Sequence, residues 1–241
     1  MLVWKCREGS FTVEHGHWIA QIAGYTLVFN SDTLITLWGA MLFVILLALL
    51  ATRKLDIVPS KLQLAFEGML GFFWNIADAL MGKKESRKHI PLVASLFLFI
   101  ITANLMGQLP WKIVHLSEGE IASPTNDLNV TAALAIIVLV YYISAGLMKK
   151  KFKFILHGFT PISILMFFLE LLDMFTRPLT LALRLFGNIF AGEVLIATML
   201  GLSAKFLPLP FMVLELLVAM VQALVFAMLT MVYVAMAVNE D

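Results

Sequence analysis

The chain has 241 residues, of which 61% are apolar and 14% charged, and its formal net charge is +1. Soluble domains keep about a quarter of their residues charged, so the composition indicates a polytopic membrane protein. The small net charge argues against a nucleic-acid-binding protein. The single cysteine, Cys6, excludes an intrachain disulfide and a cysteine-based metal cluster. We expect no cofactor and no metal site.

The first part of the chain is predicted to form an N-terminal segment, three spans and one surface helix. Residues 1–32 are too charged for a cleaved signal peptide and are expected to form an extracytoplasmic segment. About 20 apolar residues cross the hydrocarbon core of a bilayer, which predicts spans at residues 33–51, 91–110 and 130–148. Residues 60–84 place apolar and charged side chains on opposite helical faces, which predicts an amphipathic helix along the membrane surface.

The last two predicted helices are longer than a perpendicular span requires. Residues 161–200 are largely apolar, and as one continuous helix they would be about 60 Å long, twice the bilayer core. The helix therefore either breaks near Pro178 or Gly192, or it is strongly tilted. Residues 209–238 form the final apolar helix. The predicted fold class is an all-α polytopic membrane protein, one domain over residues 1–241, with five membrane-embedded helices and one amphipathic surface helix.

The connections between the predicted membrane helices alternate between many and few lysine and arginine residues. This alternation predicts the orientation of the chain in the membrane. The basic residues in the four connections are, in order, Arg53, Lys54, Lys61, Lys83, Lys84, Arg87 and Lys88; Lys112; Lys149, Lys150, Lys151 and Lys153; and Lys205. Basic connections face the cytoplasm. The N-terminus is therefore predicted to lie outside and the C-terminus inside.

Ionisable and amide side chains are concentrated in the last two predicted helices. They are Glu170, Asp173, Arg177, Arg184, Asn188, Glu193, Glu215 and Gln222. A charged side chain at the centre of a span costs roughly 2.5 to 3.5 kcal/mol on insertion scales. Such residues are expected to face protein or water.

Helical spacing separates these residues into faces. At about 100° per residue, Glu170, Asp173, Arg177 and Arg184 lie within roughly 60° of one another. Glu193, nine residues beyond Arg184, points to nearly the opposite side of the helix.

Structural roles are open for several of these residues. Asp173 and Arg177 have the i, i+4 spacing of an ion pair, and Asn188 and Gln222 could join two helices by hydrogen bonds. Arg184 has no acidic residue three or four positions away, so it would have to snorkel or pair with a distant carboxylate. The functional alternative is ion passage, with carboxyls relaying an ion and the arginine, which is never deprotonated, acting as a fixed barrier.

Several motifs together resemble subunit a of the rotary F-type ATP synthase, in its bacterial and plastid branch. The motifs are RPLTLALRLFGNIFAGEVL at 177–195, VQALVFAMLTMVYVAMAV at 221–238, SPTNDLNVTAALA at 123–135 and NLMGQLPWK at 104–112. The resemblance covers nearly all of the chain beyond its first thirty residues. It implies that the last two helices form an inclined hairpin against a ring of c subunits.

The resemblance also implies roles for individual residues. It makes Arg184 the essential arginine that faces the c-ring, and it assigns two ion half-channels, an outer one with Asn188, Glu193 and Glu215 and an inner one with Glu170 and Asp173. Gln222 matches the half-channel glutamine of the last helix that lies close to this arginine. Glu215 stands where some relatives carry histidine, and Gly107 stands where some carry an acid.

The resemblance implies partners and a location as well. The implied partners are the c-ring, the peripheral-stalk subunit b, the whole F1Fo complex, the lipid bilayer and the ion, H⁺ or Na⁺. The implied location is a bacterial plasma or inner membrane, with the thylakoid membrane as the other possibility. The chain would catalyse nothing alone but would be a subunit of an ion-translocating ATP synthase.

Two other functions compete with this interpretation. A secondary transporter for a small anion would use Arg184 as a substrate clamp, but it predicts two similar halves, and the sequence contains no such repeat. A membrane scaffold would use its polar residues to hold helices together, in which case Arg184 and Glu193 should converge rather than oppose each other.

Overall fold

The structure is a computed structural model that describes residues 12–14, 17–22, 25–53, 59–108, 123–150, 161–201 and 208–239. These ranges contain three short strands, one 3-10 turn and five α-helices. In chain order they are β1 (Thr12–Glu14), β2 (His17–Ile22), β3 (Tyr25–Asn30), α1 (Ser31–Thr52), α2 (Lys61–Gln108), the 3-10 turn (Pro124–Asn126), α3 (Leu128–Lys150), α4 (Pro161–Gly201) and α5 (Pro208–Asn239).

The helical fold class is confirmed, because each of the five helices contains a segment long and apolar enough to cross a membrane. These segments are Thr33–Thr52, Lys61–Gly107, Leu128–Lys149, Leu172–Ile196 and Leu209–Asn239. The structure adds a feature that we did not predict, an antiparallel sheet in the order β1-β2-β3. It packs against the start of α1, and its β-branched and aromatic residues suit strands.

Helix α1 lies at the edge of the bundle. Its apolar side chains are largely exposed, including Trp38 at 70% and Ile35 at 62%. An exposed apolar face of this size is stable only against lipid tails or another protein. The face is therefore the part of the chain best suited to contact lipid.

Helix α2 contains the predicted surface helix and the second predicted span, and Gly82 separates them. Gly82 has φ 76° and ψ 157°, a conformation that is costly for any residue with a side chain. A hydrogen bond from the buried Ser86 hydroxyl to the Asp78 carboxylate joins the two sides of this break. On the N-terminal side, Phe73 is fully buried and Lys61 is exposed, as the amphipathic pattern predicts.

Helix α4 is continuous, so the break that we considered near Pro178 or Gly192 does not occur. Its 41 residues make it about 60 Å long. Pro178 has no N–H to donate to the carbonyl of Met174 one turn earlier. The hydroxyl of Tyr142 on α3 donates to that carbonyl instead, at 3.0 Å. A neighbouring helix thus supplies the donor that proline removes, which is how spans tolerate proline.

The helices pack around α5, which contacts α2, α3 and α4, while α1 contacts α2. One core cluster joins both parts of α2 to α3 and α5, and its largest fully buried member is Phe73. A second cluster joins α2, α3, α4 and α5 around Phe226, Leu181 and Leu185. These clusters fix α4 against α5, and this hairpin carries most of the ionisable residues singled out above.

Replacing the Tyr142 hydroxyl tests how α4 accommodates its proline. Tyr142→Phe should lower the free energy of unfolding in mixed micelles by about 1 kcal/mol, because the Met174 carbonyl loses its donor. In a Pro178→Ala background the restored backbone N–H can serve that carbonyl, so the same substitution should cost far less. An equal loss in both backgrounds would show that the hydroxyl does not compensate for the proline.

Candidate functional site

Arg184 lies near the middle of α4 and is exposed on its outer surface. Within the described ranges it makes neither an ion pair nor a side-chain hydrogen bond. The neighbouring positions on the same helical face are small: Thr180 one turn before, Gly187 about one turn after and Ala191 two turns after. The guanidinium therefore stands on a face of low relief that another helix could approach closely.

Arg177, two turns before Arg184, is satisfied within the chain. Its Nη2 lies 3.6 Å from Oδ2 of Asp173, and its guanidinium lies 5.5 Å from the ring centroid of Tyr233 on α5. The i, i+4 ion pair considered for these residues is thus present. Its energy is small because the Asp173 side chain is 66% exposed. The side chain of Glu170 lies outside the described part of the chain.

Asn188 and Gln222 join α4 to α5 next to Arg184. The amide Nδ2 of Asn188 donates to Oε1 of Gln222 at 2.8 Å. Gln222 is only 4% exposed, and its Nε2 has no hydrogen-bond partner among the described residues. This is the interhelical hydrogen bond considered above as a structural role for the two residues. It holds the two helices together one turn beyond Arg184.

Glu193 and Glu215 lie farther along the hairpin, on the side away from Arg184. The side chain of Glu215 is 6% exposed and packs against Gly192, where a Cβ would lie 2.5 Å from the Glu215 Cδ atom. Gly192 is therefore needed for the carboxyl of Glu215 to occupy this position. The half-buried Glu193 accepts a hydrogen bond from Nδ2 of Asn126 in the 3-10 turn. The carboxyl of Glu215 on α5 thus lies against position 192 of α4, next to position 193, which carries the second carboxyl.

The 3-10 turn contributes polar residues that the sequence interpretation did not assign to the site. Oγ1 of Thr125 donates to Oδ1 of Asn104 at 2.8 Å, and Nδ2 of Asn104 donates to the carbonyl of Ala219 on α5 at 3.2 Å. Both side chains are fully buried. The sequence offered two signals for these residues, which were three successive polar residues after a proline and an asparagine within a predicted span. Buried polar side chains are retained when they are hydrogen-bonded.

Close packing against this turn explains why position 107 is a glycine. A Cβ at position 107 would lie 2.2 Å from Cβ and 2.8 Å from Cα of Ser123. Ser123 is buried, and its hydroxyl donates to the carbonyl of Ala103 at 3.1 Å. The backbone next to the turn thus fills the space that a side chain at 107 would need. A glycine is required here by close packing, and an acid would not fit.

The described residues contain no group of three histidine, cysteine or acidic side chains that could hold a metal ion. The polar groups of the hairpin are carboxyls and amides on α4 and α5, with Asp173 before Arg184 on α4 and with Asn188, Glu193, Glu215 and Gln222 after it in the chain. Such groups can pass a proton or coordinate a small cation with oxygen ligands. The arrangement is suited to ion transfer.

Comparison with known proteins identifies the family. Residues 34–235 match the family described as the ATP synthase A chain. The chain is also 46% identical over 212 residues to the ATP synthase subunit a of Gloeobacter violaceus, with 88% of this chain and 85% of that protein covered. The family match includes α2, α3 and α4 in full, most of α1 and α5, and every site residue discussed above. The chain belongs to the family of ATP synthase subunit a.

Proposed function

We propose that this chain is the ion-translocating stator subunit of the Fo motor, with Arg184 as the barrier and release charge between two offset half-channels. Its family membership supports a role in ATP synthase. The observation that carries the residue-level proposal is the position of Arg184, a cation on the outer face of α4 without an ion pair in the described part of the chain.

A permanent cation inside a membrane needs a counter-charge. An arginine at the centre of a span costs roughly 2.5 to 3.5 kcal/mol on insertion scales, and it cannot escape this cost by losing a proton. Arg177 is paired with Asp173 on its own helix, whereas Arg184 faces outwards. We infer that the acid opposite Arg184 belongs to another subunit, the carboxylate of a passing c-ring subunit.

The proposed mechanism follows from the cost of moving that acid through lipid. An ionised carboxylate is expensive to expose to the bilayer, so a ring subunit leaves the stator only when an ion has neutralised it. Arg184 favours the ionised form of the arriving carboxyl and thereby drives release of the ion. The same fixed charge repels a cation that would pass directly from one half-channel to the other.

The two half-channels are assigned to opposite ends of the hairpin. The outer one contains Asn188, Glu193, Glu215 and Gln222, whose buried or half-buried side chains lie between α4, α5 and the 3-10 turn. The inner one contains Glu170 and Asp173. Each path reaches only to the level of Arg184, so an ion crosses the membrane only after the ring has rotated. An ion that falls through 100 mV yields about 2.3 kcal/mol for this rotation.

The partners and location follow from the same proposal. The c-ring contacts the face of α4 around Arg184, and subunit b and the F1 part complete the F1Fo complex. The alternation of basic connections supports an N-terminus outside and a C-terminus in the cytoplasm. The membrane is a bacterial plasma or inner membrane, with the thylakoid membrane as the other candidate. The transported ion is H⁺, with Na⁺ as the alternative.

The competing functions are less well supported by the geometry. A clamp for a small anion would place its arginine in a cavity between helices, but Arg184 is exposed on the outer face of the hairpin. A scaffold would satisfy its polar residues within the bundle, as Asn188 and Gln222 do. Arg184 has no such partner among the described residues.

Removing the barrier charge tests the central residue. Arg184→Ala in the complete complex, reconstituted in vesicles, should abolish ATP-driven ion pumping, because nothing then forces the ring carboxyl to release its ion. The matched control is Arg177→Ala, which removes an arginine from the same face and should leave pumping measurable. Undiminished coupled pumping by the Arg184 variant would defeat the proposal.

Neutralising the outer carboxyl tests the half-channel. Glu193→Gln preserves shape and hydrogen bonding but cannot carry an ion, so it should slow pumping by about tenfold, which corresponds to about 1.4 kcal/mol in the barrier. The amount of assembled complex should not change. Glu67→Gln on the exposed face of α2 is the control. Loss of the assembled complex would favour the scaffold function instead.

Filling the surface next to Arg184 tests whether a rotor approaches it. Nothing in the described chain lies within 4 Å of a Cβ at Gly187, so Gly187→Leu should not lower the stability of the isolated subunit. In the complex the new side chain would occupy the space of the ring, and pumping should fall by about tenfold, as expected for overpacking of 1 to 3 kcal/mol. Gly68→Leu, at another open position, should leave pumping unchanged. Equal pumping by both variants would place the ring elsewhere.

A further inference from the structure

The 3-10 turn Pro124–Asn126 is a rigid insertion between the helices rather than an exposed loop. It contacts α1, α2, α3 and α4, and Ser123, Pro124 and Thr125 are buried. Asn104 accepts a hydrogen bond from Thr125 and donates one to the carbonyl of Ala219 on α5. Through Asn104, the turn is therefore fixed to the same helix that carries Glu215 and Gln222.

Asn126 ends this turn and is held by its backbone as well as its side chain. Its N–H donates to the carbonyl of Ser123 at 3.0 Å. Its Nδ2 donates to Oε2 of Glu193. Its Oδ1 is buried and has no hydrogen-bond partner among the described residues. The Asn126 amide thus binds the Glu193 carboxyl through its N–H group, and its carbonyl oxygen remains as an acceptor next to that carboxyl.

We infer that Asn126 is a positioning residue for ion transfer at Glu193. Its amide holds the Glu193 carboxyl in one orientation, and its Oδ1 accepts a hydrogen bond from the water or hydronium that reaches this carboxyl. The inference deepens the proposed function and rests on the part that Glu193 has in it. In the described ranges, the ionisable groups next to the pair are Glu215 on α5, which packs against Gly192, and Asp127, which follows Asn126 in the chain.

An amide suits this position for a chemical reason. It donates and accepts hydrogen bonds but does not titrate in the accessible pH range, so it can orient a carboxyl without competing for the ion. A hydrogen bond to an ionised acceptor is shorter and roughly twice as strong as a neutral one. A carboxyl that this amide orients presents its oxygens to the path in one direction.

A purely structural role for the Asn126 side chain is the other explanation. The turn is already fixed by Thr125 and Asn104, and Ser123 donates to the carbonyl of Ala103. Removing the Asn126 amide leaves all of these bonds in place. Its bond to Glu193 is therefore not required to hold the turn against the bundle.

The test uses the complete complex in vesicles and compares initial rates of ATP-driven proton pumping per assembled complex. Asn126→Ala should slow pumping by about tenfold, the effect of losing one hydrogen bond to a charged group. Asn129→Ala is the matched control, because Asn129 is exposed and its Nδ2 donates to Asp127 rather than to Glu193. It should pump at the unmodified rate.

An exchange of the two groups separates positioning from packing. The double variant Asn126→Asp with Glu193→Gln places the carboxylate at 126 and the amide at 193, so the hydrogen bond can form in the opposite direction. It should pump several-fold faster than Glu193→Gln alone. A double variant no faster than Glu193→Gln, or an Asn126→Ala complex that pumps at the unmodified rate, would overturn the inference.

The proposed function and this inference fail in different ways. If Glu193→Gln pumps at the unmodified rate, Glu193 is not in the ion path and the proposed half-channel is wrong. If Glu193→Gln is slow while Asn126→Ala is not, only the role of Asn126 is wrong. If Asn126→Ala lowers the amount of complex, the rate per assembled complex of the double variant decides between the two explanations.

Discussion

The proposed role of the chain depends on the cost of holding a permanent cation in the apolar part of a membrane. An arginine stays protonated, whereas a lysine or a carboxyl can gain and lose a proton. In the described part of the chain, Arg184 has no acid of its own, whereas Arg177 on the same face has Asp173. Among the residues that the structure describes, Arg184 is therefore a cation without a counter-charge on the outer face of α4. A subunit with this property is suited to act on a charge that another subunit brings to it.

The hairpin of α4 and α5 keeps that point separate from the carboxyls. Arg184 faces outwards, while Glu215 packs inwards on Gly192 and Glu193 is held by the 3-10 turn. The bond between Asn188 and Gln222 lies between these two regions. Helix α4 can remain continuous across both because Tyr142 replaces the donor that Pro178 lacks. Arg184 and Glu193 therefore lie on one continuous helix, which separates the proposed barrier from the proposed outer carboxyl by nine residues.

Much of this arrangement could be predicted from the sequence, because spans and helical faces are local patterns. The five long helices follow from apolar runs, and the Asp173–Arg177 pair follows from its spacing. The family motifs supplied the roles proposed for Arg184 and its neighbours. The N-terminal sheet was not predicted because its strands are short and no sequence motif indicates them.

The remaining contacts could not be predicted because they join residues far apart in the chain. Asn126 and Glu193 are 67 positions apart, and Tyr142 and Met174 are 32 apart. Neither separation is a local helical spacing that would predict a contact between the two residues. The same holds for Gly107, whose need for a glycine depends on Ser123 in the turn, and for Gly192, whose need depends on Glu215. Close approaches of this kind appear only when the helices are packed together.

The most direct measurement is the distance from the Arg184 guanidinium to the nearest carboxyl in an experimental structure of the assembled complex. The account requires that carboxyl to belong to a c-ring subunit that faces α4 beside Thr180, Gly187 and Ala191. If the nearest carboxyl belongs to this chain, and no ring helix lies opposite Arg184, then the arginine is a structural cation and the account is wrong.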